Sequence, residues 1–185
     1  WNIYGAGAKI SIRIPRGLSI QTQKIEATSG AIYHDYNESA DSISLSTKSG
    51  AVTCESIIAA QLDIQVESGA VILNGYQGTN ISISSDSGAA TLGAITAKSL
   101  HVNTISGSVL TMDENSLSAD SVQTTTESGA IKLDMANLRE MRLSTKSGSI
   151  VANVISFAGA GNSSISTESG VITLEVGEQS LGNLW

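Results

Sequence analysis

Two carboxylates on neighbouring repeats, Glu67 and Asp86, have residue types and a spacing that could do chemistry. Each stands two residues before the glycine of a Ser-Gly pair, at Gly69 and Gly88. If the repeats stack as β-strands, these carboxylates lie ~5 Å apart, which is the separation that a retaining glycosidase needs. Sugar-binding clefts usually add aromatic platforms, and the seven aromatic residues lie mostly near the chain ends. We therefore favour a solvent-facing ladder of charges, in which Lys48 offsets Glu67.

The same position carries charge again further along the chain, in Glu127, Lys146 and Glu168. In this second group Lys146 is expected to offset both glutamates. Exposed ion pairs of this kind contribute less than about 1 kcal/mol each. The pattern therefore indicates a solvated charged surface rather than a catalytic site.

A histidine and the single cysteine, His34 and Cys54, are a second candidate for chemistry. Both stand four residues after a glycine, so stacked repeats would bring them together. A Cys–His nucleophile also needs a third group that orients the histidine and an open approach for substrate, and neither is evident. Because free cysteine is among the most buried residue types, we predict that the pair fills the core.

A metal site has weak support in the sequence. The stretch Asp113–Glu114–Asn115 is a lone acidic turn, and no Gly-Gly-x-Gly-x-Asp repeat of the calcium-binding kind is present. We expect this turn to be solvated, and we predict neither a metal ion nor any other cofactor.

Composition narrows the range of partners. The 185 residues carry a formal charge of −7 and are 41% hydrophobic, which suits one domain with a core. Nucleic-acid binding depends on clustered Lys and Arg, so an acidic chain makes that partner class improbable. No apolar run reaches the ~18 residues of a membrane-spanning helix. One cysteine forms no internal disulfide.

A repeat governs the whole sequence. A Ser-Gly pair recurs at intervals of 19–22 residues. Its glycines are Gly30, Gly50, Gly69, Gly88, Gly107, Gly129, Gly148 and Gly170. A fixed period of this length is typical of solenoid architectures.

Apolar residues keep the same register around each glycine. Two residues after the glycines stand Ile32, Val52, Val71, Ala90, Val109, Ile131, Ile150 and Ile172. On both sides apolar and polar residues alternate with the period of a strand. Before each glycine the apolar residues stand at odd distances from it, and after it they stand at even distances. This change predicts a corner at the glycine, because glycine adopts positive φ at no steric cost. We expect the serines before the glycines, Ser29 through Ser169, to form a hydroxyl ladder at the interior edge.

These features predict an all-β fold: a single parallel β-solenoid, or β-helix, of about eight coils with roughly 19–22 residues and two or three short strands per coil. Residues 1–185 are interpreted as one domain. Residues 1–29 would be entry strands or a cap, 30–176 the regular coils, and 177–185 a C-terminal cap. The two 22-residue coils place their extra residues at 112–116 and 156–161, where we expect loops. Pro15 suits an edge or entry position.

The sequence also resembles a known family. Residues 10–17 (ISIRIPRG) are followed by units such as 46–52 (STKSGAV), 144–150 (STKSGSI) and 166–172 (STESGVI). These residues resemble an adhesin-like β-solenoid family, a domain of unknown function with repeated Thr-x-Ser-Gly coils. The resemblance implies a surface or envelope protein at the cell surface or outside the cell, and it supplies no catalytic residues.

The outward positions after each glycine form the best candidate for a partner face. They are unusually apolar for a surface in contact with water, and large patches of this kind commonly mark contact with another protein. Alternatively, another part of the chain covers them. The candidate residues are Ala51, Ala70, Ile72, Ala89, Leu110 and Ala130.

Together the sequence predicts a non-catalytic structural or adhesive module that presents a flat, repetitive β surface to a protein or a cell-surface glycan. The first alternative is a filament that stacks end to end, because solenoid ends expose unpaired strand edges. Lateral self-association is also open. A polysaccharide-active β-helix enzyme ranks third.

Overall fold

The computed structural model describes residues 2–6, 20–114, 116–158 and 162–177. In these residues all regular secondary structure is β-strand. The strands are β1 (Asn2–Ala6), β2 (Ile20–Ser29), β3 (Ile32–Ser49), β4 (Val52–Ser68), β5 (Val71–Ser87), β6 (Ala90–Ser106), β7 (Val109–Thr111), β8 (Leu117–Ser128), β9 (Ile131–Ser147), β10 (Ile150–Phe157), β11 (Ser164–Ser169) and β12 (Ile172–Val176). The predicted all-β class is confirmed.

Each strand pairs in parallel with the strand one coil further along the chain. Between β4 and β5, Val52 lies beside Val71 and Leu62 lies beside Ile81. The next pair continues the same columns, since Val71 then lies beside Ala90. The coils therefore stack in register, and the chain is a parallel β-solenoid of about eight turns, as the repeat predicted.

The coils contain longer strands than the sequence suggested. We expected two or three short strands per coil, but β4, β5, β6 and β9 each run for 17 residues, almost from one glycine to the next. The coil bends inside these strands, where residues drop out of the pairing. Between β4 and β5, for example, pairing skips from Cys54 to Ile57. The alternating sequence continues through these bends, so it gives no sign of them.

The core is a stack of aliphatic columns. The column two residues after the glycines is buried from Ile32 to Ile150, and the column five residues before them is buried from Leu45 to Leu143. Tyr76 adds one buried aromatic ring, whose hydroxyl donates to the carbonyl of Ala59 at 2.7 Å. One coil buries none of these columns alone, so the fold depends on stacking.

Each Ser-Gly pair is a corner, as predicted. Seven of the eight glycines have positive φ, for example 131° at Gly50 and 140° at Gly69. Backbone hydrogen bonds lock successive corners together, because the N–H of Gly50 donates to the carbonyl of Ser68 at 2.9 Å. Glycine is therefore needed for the turn itself.

The predicted serine ladder is wrong. The serines from Ser29 to Ser169 are exposed in every coil. The residue three before each glycine lies at the interior edge instead, and it is most often threonine. In four coils the threonine hydroxyl donates to the carbonyl of the corner glycine in the preceding coil, as from Thr145 to Gly129 at 3.2 Å, whereas Thr104 donates to Gly107 of its own corner. The chain turns one residue earlier than the alternation implies, so the serine points outward.

The first predicted loop is confirmed. The chain leaves the sheet after Thr111, turns at 112–114 and re-enters at Leu117, and Ser116 Oγ donates to the carbonyl of Asp113 at 2.9 Å. The second predicted loop, 156–161, is wrong at its start, because Ser156 and Phe157 belong to β10 and pair with β9; residues 159–161 lie outside the described residues. Residues 1 and 7–19 of the proposed N-terminal cap, Pro15 among them, and residues 178–185 of the proposed C-terminal cap lie outside the described residues.

Candidate binding surfaces

The residues predicted to form a partner face lie in two rows along the stacked coils. Ala51, Ala70 and Ala89 come from three consecutive coils, and their carbonyls accept hydrogen bonds at 2.9 Å from Ile32, Val52 and Val71 respectively. Ala130 continues this row after Ser108. The second row places Ile72 between Thr53 and Thr91, and Leu110 between Thr91 and Lys132.

The exposure of this face is partial. All six candidate residues are half-buried, because each packs against neighbours in the coils on either side. Tyr33 and Val171 are more exposed, at 65% and 67%, and they stand at opposite ends of the two rows. The structure therefore brings the predicted residues together on one flat surface that still contacts solvent.

A polar column borders this face five residues after the glycines. Glu55 accepts hydrogen bonds from Tyr33 Oη at 3.2 Å and from Asn74 Nδ2 at 2.8 Å. Further along, buried Asp134 accepts from Asn153 Nδ2 at 2.5 Å and from Thr111 Oγ1 at 3.2 Å. Sequence reasoning missed this column. Its signal is the recurrence of Asp, Glu or Asn at one position of the repeat.

Glu67 and Asp86 line a hollow of about 600 Å³ on the opposite side of the corner. Thr47 and Val66 are its buried residues, and Lys48, Glu67 and Asp86 are exposed at its rim. The remaining lining residues are Glu26, Ala27, Thr28, Ser46, Gln65 and Ser84. The hollow thus supplies hydroxyls, an amide and charges, and no aromatic ring is among its lining residues.

The charged ladder is formed in the second group of coils. Lys146 Nζ lies 2.7 Å from Glu127 Oε1, and this hydrogen bond, together with the charge of Glu127, raises the pKa of Lys146. Between the described side chains of Lys48 and Glu67 we find no such ion pair. The ladder is exposed, which agrees with a solvated surface.

His34 and Cys54 lie side by side in the core. They are paired in register between β3 and β4 and are 4% and 0% exposed. Burial lowers the pKa of His34 and raises that of Cys54 to about 12. His34 Nε2 lies 3.1 Å from Gln23 Oε1. Because the thiolate is the reactive form of cysteine, the buried thiol has neither the charge nor the access of a nucleophile. The prediction that this pair fills the core is confirmed.

Among the described residues, no group of three or more His, Cys, Asp or Glu side chains could hold a metal ion. None of the described segments forms a helix that could span a membrane.

The fold and its surfaces define a parallel β-solenoid built on a Ser-Gly corner. Comparison with family models agrees, since residues 3–170 match the Toastrack DUF4097 model. The chain therefore belongs to the Toastrack DUF4097 family, a domain of unknown function. A search of curated proteins and a search of solved structures each returned no match.

Proposed function

We propose that this domain is a non-catalytic structural or adhesive module that binds a protein partner through the face formed by Ala51, Ala70, Ala89, Ala130, Ile72 and Leu110. The observation that carries the proposal is the in-register stacking of these residues. Small alanine side chains keep the surface flat, and the hydrogen-bonded backbone beneath them keeps it rigid. Such a surface loses little conformational entropy when it binds a partner.

The proposal has a direct mutational test. Ala70→Lys together with Ala89→Lys places two charges at the centre of the face. If the partner is a second copy of this chain, lateral association between copies, measured by light scattering, is then expected to be lost. The matched control is Asn103→Lys with Gln123→Lys, two exposed positions on the other side of the corner. Equal mass for the native chain and the Ala70/Ala89 variant, at concentrations where the native chain associates, would count against the lateral mode.

A glycan partner is the second form of the proposal, and the hollow at Glu67 and Asp86 supports it. Hydroxyl, amide and carboxylate groups line this hollow, and these groups hydrogen-bond sugar hydroxyls. A glycan array with the native chain tests it, and Gln65→Ala is expected to weaken any signal. The adhesin role suggested by the family resemblance depends on the same measurement.

The enzyme alternative ranks below both forms of binding. The carboxylates of Glu67 and Asp86 line a hollow, as a hydrolase would require, but both are exposed at its rim. A general acid normally owes its raised pKa to an apolar environment, which an exposed rim does not supply. Release of reducing ends from any glycan that binds the array, abolished by Glu67→Gln, would restore this alternative.

The filament alternative requires two open ends. Electron microscopy of the purified chain separates filaments from single particles. Among the described residues, the aliphatic columns are open to solvent at β12.

A further inference from the structure

The last coil exposes apolar residues whose counterparts in the coil beneath are buried. In β12, Ile172, Leu174 and Val176 are 43%, 46% and 38% exposed. Directly beneath them in register, Ile150, Ala152 and Val154 of β10 are 0%, 0% and 3% exposed. The aliphatic columns therefore end at an apolar surface.

The first coil does not share this exposure. Ile32 and His34 occupy the same columns as Ile172 and Leu174, yet they are only 5% and 4% exposed. Among the described residues, these columns are therefore covered where they begin, at β3, and open where they finish, at β12.

The backbone of β12 offers a strand edge at the open end. On its inner side, the carbonyl of Val171 accepts from Ile150 N, and Gly177 N donates to the carbonyl of Val154, both at 2.8 Å. Peptide groups alternate in direction along a strand, so Thr173 and Glu175 also face β10. The N–H and C=O groups of Ile172, Leu174 and Val176 consequently point away from β10, toward the free edge.

We propose that two copies of this chain pair through that edge, with β12 of one copy antiparallel to β12 of the other. A two-fold axis beside Leu174 brings this residue opposite Leu174 of the second copy, and Ile172 opposite Val176. All three residues direct their backbone groups to the edge, so each opposed pair exchanges both hydrogen bonds. This two-fold axis is perpendicular to the sheet, so the core-facing side chains of both copies lie on the same side of the joined sheet. The apolar columns therefore continue from one copy into the next.

Charge favours the same register. Glu175, the one charged residue of β12, faces Thr173 of the second copy rather than another carboxylate. Isologous pairing of this kind closes after two copies. Head-to-tail pairing through the same columns would instead need β12 to reach Ile32 and His34 of β3, and both are already covered. The structure therefore favours a tail-to-tail dimer over the filament.

Disulfide cross-linking tests the proposed register of β12 against β12 of the second copy. Leu174→Cys places one thiol on each side of the two-fold axis, with Cα atoms ~5.5 Å apart, a separation that a disulfide spans. The matched control is Thr173→Cys, whose thiols would be diagonal neighbours ~7–8 Å apart, beyond easy bridging. The native Cys54 is buried and does not compete. Under mild oxidation we expect L174C to give a cross-linked dimer and T173C to remain a single chain on a non-reducing gel.

Cross-linking that is absent from L174C, or equal in both variants, would overturn the proposal. A second measurement uses variants that need no oxidation. Leu174→Lys puts like charges opposite each other and is expected to halve the mass measured by sedimentation. Thr173→Lys faces Glu175 and should leave the dimer intact. Since both residues are exposed, neither change should unfold the chain.

If something other than a second β12 covers the edge of β12, sedimentation and hydrogen exchange give different results. A native chain that sediments as one copy while the amides of Ile172, Leu174 and Val176 resist hydrogen exchange would mean that the chain's own residues 178–185 cover β12. Growing assemblies would mean head-to-tail stacking. Either result overturns the dimer. A native chain that sediments as one copy would also count against lateral association between copies. The two modes are otherwise tested separately, because Ala70→Lys and Ala89→Lys lie several coils away and should leave tail-to-tail pairing unchanged.

Discussion

The carbonyl oxygen of Gly50 occupies the space in which a β-carbon on Gly69 would lie. The same overlap recurs up the stack, where Gly88 stands against the carbonyl of Gly69. Glycine therefore serves two purposes at these corners: it permits positive φ, and it lets the next coil approach closely. At Gly107, which is not among the positive-φ glycines, the close approach alone requires it.

This double requirement predicts unequal costs along one ladder. Gly30 has a φ of 112°, but among the described residues nothing lies within 4 Å of the position of its β-carbon. Gly30→Ala should therefore lower the free energy of unfolding by about 1–2 kcal/mol, the cost of positive φ alone. Gly69→Ala adds a backbone overlap and should cost considerably more. Urea unfolding of the two variants checks this, and equal midpoints would show that close approach is unimportant.

The threonine column supplies a second prediction. Thr145 is 2% exposed and donates to the carbonyl of Gly129, so Thr145→Val should destabilise the fold by about 0.5–1.5 kcal/mol. Valine fits this column sterically, because Val66 occupies it in another coil. The reverse change, Val66→Thr, supplies a hydroxyl that can reach the carbonyl of Gly50.

Thermal unfolding of Thr145→Val and Val66→Thr separates the hydrogen bond from shape. We expect the first to lower the melting temperature and the second to leave it unchanged or raise it. If both changes lower it equally, packing rather than hydrogen bonding governs the column.

The columns could be predicted from the sequence because they depend only on alternation and a constant period. Once Gly50 and Gly69 are aligned, Val52 must lie near Val71. The choice between Ser68 and the residue three before the glycine could not be predicted in the same way. Both positions often carry hydroxyls and share the inward parity, and the bend at the corner decides between them.

The polar groups of the sites were harder to predict than the core. The contact between Glu55 and Asn74 needs the bend within the strand, which the alternating sequence does not reveal. Tyr76 is similar: its ring is buried because its hydroxyl reaches the carbonyl of Ala59 in the preceding coil. The hollow beside Glu67 results from backbone curvature, and a one-dimensional pattern carries no curvature.

Cys54 provides a probe of unfolding. The thiol is fully buried, and burial raises its pKa to about 12, so a disulfide reagent at pH 8 should not react with the native chain. The labelling rate should then follow opening of the solenoid and increase with denaturant. Ser68→Cys, at an exposed corner, adds a thiol that should react at once. Rapid labelling of the native chain would show that the column at Cys54 opens without global unfolding.

His34 predicts how stability depends on pH. Burial lowers its pKa below the ordinary value of 6.5, and the nearby charge of Asp35 opposes this only in part. On acidification the unfolded chain therefore takes up the proton first. The stabilising contribution of neutral His34 is complete above about pH 6.5, and it is lost progressively as the pH falls toward the lower pKa of the folded state.

Urea unfolding between pH 8 and pH 5 measures this loss, and His34→Leu provides the control. Leucine occupies the same column at Leu73 and Leu92, so the variant keeps an apolar residue there but has no proton to bind. We expect the native chain to lose stability over this interval and the variant to lose less. Parallel curves for the two proteins would assign the pH dependence to carboxylates elsewhere, and would mean that the first coil accepts a charged imidazole without cost.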